Sequence, residues 1–305
     1  MNILLVAEES AGIQTVQLLS KSSHTLKAVL TQAGSSGKGA PVAAMADKLG
    51  YLTLAPSRVN EPSFSDWIKE NEIDLLLNVH SLFVICPEVI EALKVGAFNL
   101  HPGLLPQYAG LNVPSWAVYN QEIEHGVTLH KISSKIDAGD IIDEARFPIT
   151  ATDTGLSVSL KCVTHGLPLI KSFLAKIKNG DTINGKKQNP ENRNYYRGDH
   201  IPNHGRIDWG STASRIDAFV RACNYAPFPS PWGHPVSYVA GEKISILKMR
   251  VTNLRCSEKP GTIGETMGVE VYIATADFWV IVRRCLVNGH HIDASSILFS
   301  GDMLS

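Results

Sequence analysis

The sequence contains no G-x-G-x-x-G. Its first loop, after the apolar run "NILLVA" at residues 2–7, reads "AEESAG" and sets Glu8 and Glu9 where a phosphate needs neutral backbone amides, so a nicotinamide cofactor is not expected. Cysteine is scarce. The five residues Cys86, Cys162, Cys223, Cys256 and Cys285 are odd in number and far apart, which argues against a disulfide framework and a zinc site and for a cytoplasmic setting. Charge of one sign is also lacking: 28 Lys and Arg against 29 Asp and Glu leave a net −1. Nothing global draws such a chain to nucleic acid or an anionic membrane. The start, "MNILLVAEES", has neither a basic segment nor a long apolar stretch, so neither a signal peptide nor a membrane anchor is expected there. There is no internal repeat.

What is present is an ordinary globular composition, 44% hydrophobic and 19% charged over 305 residues. That length exceeds the usual single domain and predicts two, the larger first. Strand-like and helix-like segments alternate through residue 100: strands at 2–7, "HTLKAVLTQ", "IDLLLNV" and "GAFNL", with helices at "GIQTVQLLSKS", "APVAAMADKLG", "SFSDWIKENE" and "CPEVIEAL". The pattern predicts an α/β fold, an open and mainly parallel sheet with helices on both faces. A helix over Val113–Asn120, strands at "GVTLHKIS" and within "IDAGDIIDEARFPI", and a helix over 153–178 with possible kinks at Gly166 and Pro168 follow. Residues 1–180 then form one domain. The polar stretch 181–209 reads as a linker. Residues 210–305 form a second domain, opening on a helix that Ser211 caps and continuing, from Trp232, as short strands and glycine turns suited to a small β-barrel.

The residues that carry chemistry lie in "FNLHPGLLPQYAG" and "KIDAGDII". Asn99 and His101, two apart on a strand, face one side at the strand's end, where open α/β sheets bind ligands. Asp137 follows a predicted strand, and Gly139 permits a tight turn beside it. A carboxylate beside an imidazole favours the imidazolium and fixes the ring's tautomer. An asparagine amide donates to a developing oxyanion. The three groups together suit acyl transfer to an amine. A metal site from His101, His130 and Asp137 is an alternative, weaker than packing or hydrogen bonding for His130; no metal is expected.

These segments resemble the signature of the formyltransferases that use 10-formyltetrahydrofolate, N-x-H-x-S-L-L-P-x-x-x-G followed about 30 residues on by an aspartate before a glycine turn. Asn99, His101, Leu104, Leu105, Pro106, Gly110 and Asp137 match. "GRIDW", "PFPSPWGHPV" and "PGTIGE" resemble the start of the family's C-terminal domain and its OB-like barrel. The resemblance implies a Rossmann-like catalytic domain and 10-formyltetrahydrofolate as formyl donor. It places the pteridine against Phe83, Val84 and Ile85, beside Leu111, and along Ser133, Ser134, Lys135 and Ile136. It makes Asn99 and a protonated His101 stabilise the oxyanion, with Asp137 sustaining the imidazolium; which residue takes the first proton stays open.

The chain departs from that pattern at Gly103, where relatives carry serine, and at Ala109, where they often carry arginine. The loop 31–42 offers only Lys38, and residues 200–305 hold ten Lys and Arg against nine Asp and Glu, a poor footprint for tRNA. The acceptor is therefore expected to be a small amine, foremost an amino sugar on a nucleotide. Asn112, Trp116 and Tyr119 lie near the acceptor side, the two aromatics either stacking on a nucleobase or packing the helix. Methionyl-tRNA formylation, hydrolysis of the formylfolate, and ligand binding without catalysis are the competing readings.

Overall fold

A computed structural model describes residues 1–32 and 42–305; Lys38 and most of its loop lie outside the described residues. These residues divide into two units, Met1–Val113 with Glu124–Pro148 and Ser159–Tyr196, and Pro114–Ile123 with Ile149–Val158 and Arg197–Ser305. The stretch 181–209 is thus not one spacer. Its residues through Tyr196 belong to the first unit and the rest to the second.

The chain order is β1 (Asn2–Ala7), α1 (Glu9–Ser20), β2 (Thr25–Leu30), α2 (Val42–Lys48), β3 (Leu52–Leu54), α3 (Phe64–Glu70), β4 (Leu75–Val79), α4 (Pro87–Glu91), β5 (Gly96–His101), β6 (Ala109–Gly110), α5 (Val113–Tyr119), β7 (Glu124–Lys131), β8 (Ile141–Pro148), α6 (Gly155–Lys178) and β9 (Tyr195–Tyr196). Seven strands make one sheet in the order β3-β2-β1-β4-β5-β7-β8. The five at one side are parallel, and β7 and β8 are antiparallel. Buried strands apolar on both faces are what such a sheet requires. Leu4, Val6, Leu76 and Ala97 pack with Phe64, Ile68 and Val89 on one side. On the other, Phe98 meets Phe173 of α6 with ring centroids 4.6 Å apart.

Helix α6 runs without a break through Gly166 and Pro168. Gly166 is a point of close approach: a Cβ there would stand 2.8 Å from Leu100 Cδ2 and 3.2 Å from Val127 Cγ2.

What this sheet does for chemistry is set by register. Asn78 of β4 pairs with Asn99 of β5, and Asn99 pairs with His130 of β7. Three polar side chains thus form one row across three adjacent strands.

The second unit holds α7 (Ala213–Ala222) and the strands β10 (Val236–Val239), β11 (Glu242–Arg255), β12 (Ile263–Met267), β13 (Glu270–Ala274), β14 (Phe278–Val287) and β15 (His290–Asp293). Thr212, rather than Ser211, caps α7 by accepting from Arg215 N–H; the Ser211 hydroxyl donates to Asp208. The six strands form one antiparallel sheet in the order β10-β11-β14-β13-β12, with β15 against β14. Bridges Val239↔Leu304 and Thr262↔Met303 lace the tail to the β10 side and to the residue preceding β12, giving the sheet a barrel-like closure. No helix among the described residues is long and apolar enough to cross a membrane.

Candidate active site

Strand β5 ends at His101, and Asn99 and His101 share the face that Ala97 turns to the core. His101 is 3% exposed. Its Nε2 lies 2.6 Å from Tyr108 O. A carbonyl only accepts, so Nε2 carries a proton and donates it. In the neutral ring Nδ1 is then a bare lone pair, and it stands 3.6 Å from Asp137 Oδ2.

Asp137 is held from several sides. Its Oδ2 accepts from Gly110 N–H at 2.8 Å, and its Oδ1 from Asn99 Nδ2 at 3.5 Å. Its backbone is left-handed, φ 49°, a conformation that non-glycine residues adopt only when neighbours enforce it. Gly139 is required by crowding: a Cβ there would sit 1.8 Å from Lys131 O.

The row across the sheet fixes the Asn99 amide. Its Oδ1 accepts from Asn78 Nδ2 at 3.2 Å. Its Nδ2 donates to His130 Nε2 at 3.1 Å, while His130 Nδ1 donates to Lys131 O at 2.9 Å. That last bond sets the tautomer that leaves Nε2 free to accept. The second Asn99 N–H is left for the longer contact with Asp137. Sequence reasoning set His130 beside His101 and Asp137, with hydrogen bonding or packing as its role, and passed over Asn78. Asn78 left a signal, being the only polar residue in the buried strand "LLLNV". No group of three or more His, Cys, Asp or Glu among the described residues is placed to hold a metal ion.

Burial and neighbouring charge set the resting protonation of the pair. Burial pushes His101 below its ordinary value, outweighing the pull of Asp137, so the resting ring is neutral rather than an imidazolium. Burial also opposes charge on Asp137. There the facing His101 ring, His130 and the Gly110 N–H prevail and hold the carboxyl well below the usual carboxylate range. The resting pair is a neutral histidine and an ionised aspartate.

Gly103 fits this geometry as it stands. A Cβ on it would meet Tyr108 O at 2.6 Å and His101 Nε2 at 3.0 Å. The space of the family serine is occupied by the bond that orients His101.

The residues that the resemblance assigns to the pteridine divide. Ile85 is 6% exposed and Phe83 packs against the same core cluster, so the Ile85 side chain is core and only its backbone is left to meet a ligand. Val84, Leu111 and Ile136 are exposed apolar side chains at 58%, 37% and 45%. Ser133, Ser134 and Lys135 are exposed, and the two serines line an open hollow of about 140 Å³ with Pro87, Ile90 and Glu91. Exposed apolar side chains beside backbone donors and acceptors suit a flat heteroaromatic ring, so the residues present fit the folate.

The acceptor-side aromatics are engaged by protein. In the second unit Trp116 meets Trp232 edge-on at 4.8 Å, Tyr119 meets Phe219 at 5.5 Å, and the Arg215 guanidinium lies 3.6 Å from the Tyr119 ring centroid. The packing reading replaces the nucleobase stack. Asn112, half-buried with φ 57°, ends the segment after β6 in the first unit.

Comparison with known proteins agrees with this geometry. A family model described as formyl transferase matches residues 4–166, and one described as formyl transferase, C-terminal domain, matches residues 201–300. Among solved structures, the N-formyltransferase of Helicobacter canadensis, in complex with folinic acid and dTDP-3-aminofucose, superposes with a TM-score of 0.70 at 20% identity, covering 92% of this chain and 98% of its own. A 4-N formyltransferase from Francisella tularensis gives 0.63 at 18%, covering 75% and 90%. HypX from Aquifex aeolicus, in complex with tetrahydrofolic acid, gives 0.65 at 17%, covering 97% of this chain and 46% of its own. With the first model spanning more than half of its residues, the chain belongs to the formyl transferase family.

Proposed function

We propose that this protein is an N-formyltransferase that moves a formyl group from 10-formyltetrahydrofolate to the primary amine of an amino sugar carried on a nucleotide. The observation that carries the reading is the Asn99, His101 and Asp137 network inside the matched segment. The sugar N-formyltransferases among its structural neighbours, one in complex with a folate and a dTDP-amino sugar, support the choice of donor and acceptor.

The chain's own groups divide the work. The amine nitrogen bonds to the formyl carbon, and the Asn99 N–H that makes the long 3.5 Å contact with Asp137 turns to donate to the oxygen that becomes charged. The bare Nδ1 of His101 takes the proton that the amine must lose. The imidazolium so formed is neutralised by Asp137 on one side and by Tyr108 O on the other. As the carbon–nitrogen bond to the folate breaks, the proton passes from His101 to the departing folate nitrogen. Atoms and charge balance, and the neutral His101 ring beside the ionised Asp137 returns.

Incubation with 10-formyltetrahydrofolate and a panel of amines, followed by tetrahydrofolate absorbance, tests the reading. Turnover is expected with nucleotide-linked amino sugars. Turnover without any amine would make the protein a hydrolase, and turnover with methionyl-tRNA alone would move the acceptor. His101→Ala and Asp137→Ala are each expected to lower kcat by about a hundredfold or more with the unfolding midpoint retained; near-normal kcat in either removes that residue from the chemistry.

A further inference from the structure

Residues 186–196 lie in the polar stretch read as a linker, yet they hold the Asp137 loop. Lys186 and Ile141 exchange backbone hydrogen bonds of 2.7 and 2.8 Å. Gln188 Nε2 donates to Asp137 O at 3.0 Å and to Gly139 O at 2.7 Å. The Arg193 guanidinium donates to Asp137 O at 3.2 Å and to Ile136 O at 2.8 Å. Two side chains thus hold three carbonyls of the turn, those of Ile136, Asp137 and Gly139, around the residue whose backbone is left-handed.

The same stretch also reaches the groups that the catalytic side chains bind. Strand β9 pairs in parallel with β6, through Asn194 O accepting from Ala109 N–H at 3.1 Å and Tyr196 O accepting from Leu111 N–H at 2.8 Å. Between those two lies Gly110, whose N–H is thereby turned to Asp137 Oδ2. The Tyr196 ring stacks on Tyr108, centroids 5.4 Å apart, and Tyr108 O is the acceptor for His101 Nε2–H. One short segment therefore bears on the Asp137 backbone, on the amide its carboxylate accepts from, and on the carbonyl that orients His101.

We infer that Gln188 and Arg193 are positioning residues, which hold the Asp137 turn so that its carboxylate faces Nδ1 of His101. Neither touches the reacting atoms; both act through Asp137. The kinetic part rests on the formyl-transfer reading above, and the spectroscopic part does not. A side chain that only filled space would tolerate an isosteric change, whereas a donor to carbonyls would not. Gln188→Glu keeps the shape and turns a donor into an acceptor. Arg193→Leu removes both donors, and Arg193→Lys retains one. Lys187→Ala, an exposed neighbour in the same stretch, is the control.

The test records the imidazole nitrogen resonances of His101 in ¹⁵N-labelled protein across pH, without any substrate, beside kcat, KM and the melting temperature. Gln188→Glu and Arg193→Leu are expected to shift the His101 ring resonances and to lower kcat about tenfold with KM for the folate unchanged, an effect of misaligned catalytic groups. Arg193→Lys should retain most of the wild-type signal, and Lys187→Ala all of it. Unchanged His101 resonances in folded Gln188→Glu and Arg193→Leu would overturn the inference. Should either fail to fold, a folded Arg193→Met variant, which lacks both donors, identical to wild type in ring resonances and kcat together would overturn it for Arg193, and a folded Gln188→Asn variant identical in both would do so for Gln188. If the wild type transfers no formyl group to any amine, the functional reading fails while the ring resonances still decide the placement of Asp137.

Discussion

Because burial lowers the pKa of His101, acid removes the neutral ring that the proposed transfer uses. The acid limb of kcat is expected to have its midpoint below about 6.5, the ordinary histidine value. A pH profile measured at saturating acceptor checks this, and a limb centred above that value would restore the imidazolium as the working form. His125 makes a second pH-dependent contribution, to stability. It is fully buried, its Nε2 donates to Pro102 O at 3.0 Å, and burial, partly offset by that bond, lowers its pKa to about 4. Above pH of about 6.5 neither the folded nor the unfolded chain holds a second ring proton there. Between about 6.5 and 4 the unfolded chain takes one that the folded chain refuses, so stability falls with falling pH, by about 3 kcal/mol at pH 4. Urea unfolding at pH 7, 5.5 and 4 should show a shallower loss for His125→Phe than for wild type; parallel losses would refute the assignment. At this scale the sequence spoke through spacing. The two-residue step from Asn99 to His101 and the nearby Gly139 after Asp137 mark the three side chains that meet in the first unit, because strand geometry converts spacing into direction. His130 and Gln188 carry no such mark, since their partners are chosen by strand register and by backbone carbonyls.

Among the elements, helices and strands follow their apolar periods closely, and the departures have local causes. Gly166 and Pro168 mark candidate kinks in the sequence, yet α6 runs unbroken through both, and Gly166 answers to the sheet below. Gly166→Leu is therefore expected to destabilise the protein by about 1–3 kcal/mol through overpacking against Leu100 and Val127, read as a lowered urea midpoint; an unchanged midpoint would mean that the contact has slack. The cap of α7 moved by one residue because Ser211 and Thr212 both offer hydroxyls and only tertiary position decides which one meets the helix. The stretch 186–196 was the least legible. It has turn residues and charges but no period, and its order comes from side chains reaching a distant loop.

At the scale of the molecule, the tail that laces the second sheet is a test of its closure. Leu304 is 3% exposed and bridges Val239. Leu304→Ala is expected to cost about 2–4 kcal/mol, seen as a lower melting temperature, and no loss would mean that the sheet is held without the tail. The sequence indicated the small β-barrel by its glycine-punctuated strands. It gave no sign that ten residues around α5 and ten more after β8 belong to the later unit, because such membership is decided by long-range contact. That interleaving has a consequence during synthesis. Trp116 and Tyr119 leave the ribosome about a hundred residues ahead of Phe219 and Trp232, the rings that cover them. At translation speeds of about 5–20 residues per second the pair stays bare for roughly 5–20 s, a window in which a nascent chain offers chaperones a greasy handle.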